Sequence, residues 1–155
     1  MQNFTQIEQS FDTALQTVLT STSVTGINSI QLFTENKTMN FAMLPDMTQK
    51  LGVRTTLIPA KTIVETLGAG GYVSVNGNYA IDVFGQVNTG YVAVQTLADA
   101  LLAAFPRGLQ FVLPNGDTIQ VNVSSPSVNT NQGGWTMGKL YARQIIIEWQ
   151  GYVIP

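Results

Sequence analysis

Residues 78–108 read NYAIDVFGQVNTGYVAVQTLADALLAAFPRG, and the fold turns on how this stretch is read. Residues 78–84 are rich in β-formers and read as a strand, residues 85–89 as a loop carrying Gly85, and residues 90–105 as a helix. Along that helix Val94, Leu97, Ala98, Leu101, Ala104 and Phe105 share one side, a stripe wide enough to lie on a sheet. Asn88 or Thr89 can cap its start, and Pro106 and Gly108 end it.

Working upstream, Asn76-Gly77 is a strong short hairpin signal, because both residues tolerate positive φ; it predicts two strands, 72–75 and 78–84, joined there. Gly68-Ala69-Gly70-Gly71 permits a sharp reversal before them. Residues 54–58 and 61–67 are β-rich and flank Pro59, which marks an edge, bulge or bend; a helix over 61–67 is the competing reading. Residues 41–51 are irregular around Pro45-Asp46, Glu35-Asn36-Lys37 is a turn, and residues 27–33 alternate as a strand. At the start, Phe4, Ile7, Phe11, Leu15 and Val18 recur every three or four residues and predict an amphipathic helix over 3–20, with Thr5 and Glu8 spaced as a capping box. The hydroxylated and β-branched cluster 21–25 ends it.

Downstream, 109–113 and 118–123 alternate cleanly around Pro114-Asn115-Gly116-Asp117 and predict a second hairpin. A polar loop over 124–134 follows. Residues 139–153 form a long strand, apolar on both faces around Ile145, Ile146 and Ile147, which places it inside the sheet. Two main helices and six to eight strands, mostly linked as hairpins, predict a single α+β domain over residues 1–155, with both helices on one face of an antiparallel or mixed sheet.

The composition narrows the chemistry. The chain has 155 residues, no cysteine and no histidine. Disulfides, thiolate metal sites, Ser-His and Cys-His dyads and the commonest zinc ligand are therefore excluded together. Charged residues make up 10% of the chain, and the net charge is −2 without a basic run, which argues against tight nucleic-acid binding through phosphates. The polar surface then consists largely of Thr, Asn, Gln and Ser, groups that lose less on leaving water than ions do; this is a mild argument for permanent assembly, with a soluble monomer of neutral surface as the alternative of equal weight. No signal-peptide pattern opens the chain, and its most apolar stretch, 97–105, contains Asp99 and is far shorter than the roughly 20 residues a membrane-spanning helix needs.

Few motifs suggest a reaction. Gly133 to Lys139 approximates a phosphate-binding loop, but Leu140 stands where Ser or Thr should ligate magnesium, and the lysine leads into a strand. Asp82, Asp117 and Glu148 are the acidic residues placed near the sheet, yet no spacing brings two together; a turn role for Asp117 and strand-edge positions for Asp82 and Glu148 account for them. Trp135 and Trp149 are candidate stacking platforms, although aromatic residues on strands are usually core or interface. No catalytic, cofactor-binding or metal-ligating residue is assigned.

The order of elements carries more. An N-terminal helix, a strand leading to Glu35-Asn36, an Arg54 segment ending in Pro59, then Gly77-x-Tyr79-x-Ile81-x-Val83, Gly90, Leu97-Ala98-Asp99, Phe105, Gly108 and a long last strand together resemble the tail terminator proteins of long-tailed bacteriophages. One departure is the loop 85–89, which lacks the proline that family often places there. The resemblance implies a virion structural protein without cofactors: a ring, usually hexameric, that caps the tail tube, stops its polymerisation and meets the head-completion protein. DNA would pass through without specific binding, and no membrane is involved. Alternatives of other classes are another head-tail component, such as a tail-tube or head-completion subunit, and a carbohydrate-binding module built on Trp135 and the neighbouring Asn/Ser loop.

Overall fold

The computed structural model describes residues 4–27, 29–33, 50–60, 63–64, 73–86, 92–122, 129–131, 135–137 and 140–153. The first helix, α1 (Phe4–Ser21), buries Ile7, Phe11, Leu15 and Leu19. That row has strict four-residue spacing, so it drifts around the helix and ends on Leu19, leaving the expected Val18 only half-buried. Thr5 lies inside the helix, so the expected capping box does not sit at its boundary. At the other end the Ser21 and Thr22 hydroxyls donate to the carbonyls of Thr17 and Val18, occupying groups that a further turn would have used. Gly26, at φ 80°, then turns the chain.

Strands β1 (Ser29–Phe33) and β2 (Lys50–Pro59) follow, with β2 starting earlier than the sequence suggests. β3 (Ile63–Val64) is a short strand within the segment for which a helix competed. β4 (Val73–Gln86) is one continuous strand of 14 residues, which overturns the hairpin expected at Asn76-Gly77. α2 (Val92–Ala104) comes next, then β5 (Gln110–Val112), β6 (Thr118–Val121), β7 (Asn129–Asn131), β8 (Trp135–Met137) and β9 (Leu140–Val153). β7 and β8 lie in or just after the stretch read as loop. The turn at 35–37, the glycine run 68–71 and the caps at Asn88 and Thr89 fall outside the described residues.

The nine described strands form one mixed sheet in the order β1-β2-β4-β9-β6-β5. β3 pairs with β4, and β7 and β8 pair with β9. β1 and β2 are parallel, and every other pair is antiparallel. β4 and β9 pair along their whole length, from Val73 opposite Val153 to Gln86 opposite Leu140. This central ladder explains the lost hairpin: Asn76 and Gly77 pair with Gln150 and Trp149 on one side, and the Asn76 carbonyl accepts from the Ala60 N–H at 2.9 Å on the other. A local turn preference cannot compete with two ladders at once. Gly77 serves a different need: a Cβ there would lie 2.6 Å from the Ile58 carbonyl oxygen and 2.7 Å from Cζ2 of Trp149.

Both helices cover one face. Phe11 stacks on Tyr79 with ring centroids 4.7 Å apart and meets Phe111 edge-on at 4.9 Å; Phe105 and Trp149 complete the cluster. From α2, Val94, Leu97, Ala98 and Leu101 are buried, as the stripe predicts, and a Cβ on Gly85 would meet Val94 at 3.1 Å. Val53, Ile81, Val83, Ile145 and Ile147 supply the sheet side of the same core. The β5–β6 hairpin also forms as predicted, with Gly116 at φ 91°.

Candidate interaction surface

The acidic candidates are placed apart. Asp82 lies mid-strand in β4 with neighbours on both sides, not at an edge. Its Oδ2 accepts from Arg54 Nη2 at 2.8 Å and Nε at 3.2 Å, and its Oδ1 accepts from Gln144 Nε2 at 3.0 Å. The three residues are register partners on β2, β4 and β9, so the strand pairing itself builds this row. Asp117 belongs to the β5–β6 turn, where its N–H donates to Asn115 Oδ1 at 3.0 Å. Glu148 stands opposite Asn78 on β9. Among the described residues no three His, Cys, Asp or Glu side chains gather as metal ligands. No described helix is long and apolar enough to cross a membrane.

The remaining motifs resolve similarly. β8 and β9 flank positions 138–139 with Met137 opposite Leu140, so Lys139 is followed by a strand and lacks the helix N-terminus that phosphate needs. Trp149 is 1% exposed and belongs to the core, so it offers no platform. Trp135 lies in β8 opposite Ala142, while its side chain and residues 123–128 and 132–134 fall outside the described set.

One polar cluster was missed by the sequence reading. Asp12 on α1 receives the Tyr79 hydroxyl at 2.5 Å and the Thr55 hydroxyl at 3.2 Å. Burial first, and the negative charge of Asp12 second, push the Tyr79 hydroxyl far above its ordinary value, so it stays protonated and donates. Part of the signal was available: Thr55 shares the inward parity of Val53 and Leu57, and Asp12 flanks the buried row one residue after Phe11. The cluster ties α1 to the middle of the sheet and opens on no described pocket.

The sheet face away from the helices has a different character. Across four strands Asn76, Gln150, Gln120 and Gln110 stand in register, and Gln110 Nε2 donates to Gln120 Oε1 at 3.2 Å. Ile58, Tyr152 and Val112, on the same face, are 49%, 57% and 72% exposed. At one corner Phe84 lies across Gly52 and stacks with Phe33 at 6.1 Å. Where β5 forms the edge of the sheet, an open groove of about 580 Å³ separates it from α1 and is lined entirely by uncharged residues, among them Gln6, Ser10, Thr13 and Phe111. The Arg54–Asp82 pair lies farther along the same face, so it is the β5–β6 end, with its amides and exposed apolar side chains, that suits association through hydrogen bonds and apolar area.

A family model described as "Phage tail terminator protein" matches residues 44–149, more than half of the chain. No curated protein matches. One solved structure superposes with a TM-score of 0.70 at 17% identity, covering 100% of this chain and 99% of the other, which establishes a shared fold and nothing more.

Proposed function

The chain belongs to the phage tail terminator family, a family of tail structural proteins, and from that premise we propose that it assembles into a ring that caps the tail tube. In this reading the ring, a hexamer, stops tube polymerisation, sits at the head-proximal end of the tail and offers its other side to the head-completion protein. DNA passes through the lumen without specific binding, in keeping with a net charge of −2.

The observation that supports this reading beyond family membership is the exposed end of the sheet face away from the helices, around Ile58, Tyr152 and Val112. There a row of amides beside exposed Ile58, Tyr152 and Val112 is inexpensive to bury against another protein surface. The test is electron microscopy of the purified protein alone and mixed with tail tubes. Rings, and tubes closed at one end with a narrowed length distribution, are expected. Tubes that keep growing with bare ends in the presence of excess protein overturn the proposal.

A further inference from the structure

Resting on the ring reading above, we infer that the two edges of the sheet, each unpaired among the described residues, form the subunit contact: β5 of one copy pairs with β1 of the next copy of this chain, in parallel, so that the sheet continues around the ring.

Among the described residues β5 pairs only with β6. The Val121 N–H donates to the Leu109 carbonyl at 2.8 Å and the Leu113 N–H to the Asp117 carbonyl at 2.7 Å, so residues 109, 111 and 113 turn their backbone toward β6. By the alternation of an antiparallel ladder, Gln110 and Val112 turn their N–H and C=O groups to the free side. Nothing within Gln110–Val112 guards them: the strand has no charge and no proline, and its shortness is the one restraint. Alongside runs the groove of about 580 Å³ whose far wall is α1, which receives alternate side chains of an added strand.

The occupant follows from the other end of the sheet. β1 is equally free of charge, and among the described residues it pairs only with β2. Following the pairings across the sheet, β1 and β2 run one way, β4 the other, β9 back, β6 the other and β5 back, so β1 and β5 point the same way. Rotation about a ring axis preserves strand sense and keeps the helices on one side, which makes the contact parallel. Gln31, register partner of Gly52, then lies on the same outer face as Gln110. Two different surfaces meeting head to tail close into a ring when the rotation per copy completes a full turn, whereas β5 against β5 stops at a two-fold dimer.

The absence of native cysteine allows a clean test with the full chain. Val112→Cys is combined in turn with Ser29→Cys, Gln31→Cys or Phe33→Cys, and the oxidised protein is run under denaturing, non-reducing conditions. At least one pair is expected to give a ladder reaching the ring size, with each single variant giving none. Dimers from Val112→Cys alone overturn the proposal in favour of a two-fold edge contact. Separately, Val112→Pro removes an outward N–H that has no partner among the described residues; its circular dichroism is expected to match the wild type while the ring population in native mass spectrometry falls at least tenfold. Undiminished rings in Val112→Pro together with no ladder from any pair sink the edge contact and leave the ring reading standing. A wild-type chain that forms no ring, alone or with tubes, defeats both.

Discussion

The Tyr79 hydroxyl, in the middle of β4, donates to the Asp12 carboxylate on α1, directly beneath the stack of Phe11 on the Tyr79 ring. One side chain thus joins helix to sheet by both an apolar and a polar contact. Removing the hydroxyl in Tyr79→Phe leaves Asp12 with the longer Thr55 bond, and the loss is expected to be about 1–3 kcal/mol in urea unfolding. An unchanged midpoint means that water serves Asp12 as well as the phenol does.

The same contact has a pH signature. The hydroxyl is raised in the folded protein, so its contribution is complete below the unfolded tyrosine value of about 10 and declines above it, where the unfolded chain ionises and the folded one does not. Between about pH 10 and 11.5 the stability of the wild type is expected to fall relative to Tyr79→Phe by up to about 1.4 kcal/mol per pH unit. Parallel stability curves for the two proteins across that window contradict this.

Leu101 is fully buried at the centre of the α2 stripe. Leu101→Ala is expected to cost about 2–5 kcal/mol, the range for a large-to-small change in a packed core. A loss below about 1 kcal/mol in chemical denaturation is the signature of a surface position and is incompatible with this packing.

Gly77→Ala puts a methyl group 2.6 Å from the Ile58 carbonyl oxygen and 2.7 Å from the Trp149 ring, and neither can withdraw without moving a strand or a core indole. The cost is expected to be about 2 kcal/mol or more, as for other overpacked sites. Gly116→Ala, at φ 91° with no neighbour within 4 Å, pays only for its backbone conformation, about 1–2 kcal/mol. Thermal melts of the two variants that rank the other way argue against a continuous β4.

Several elements were legible because their signals are local. The α2 stripe, the Pro114 to Asp117 turn and the long last strand each follow from spacing within a short window, and each appears where periodicity placed it. The end of α1 was misread by one residue because three- and four-residue spacings both fit the apolar pattern, and only packing against the sheet selects the row ending in Leu19. The Asn76-Gly77 hairpin failed for a related reason: turn propensity is a local energy, and pairing with both β2 and β9 along β4 exceeds it.

What the sequence determined by itself was therefore the fold class, the core faces of its regular elements and the absence of a His- or Cys-based site, since composition and periodicity act before any long-range contact forms. Tertiary structure alone decided that residues 78–108 begin inside a continuous strand, that Asp82 sits between Arg54 and Gln144, and that Asp12 meets Tyr79. These depend on register between segments far apart in the chain, and register is set by which faces the sheet and helices bury together.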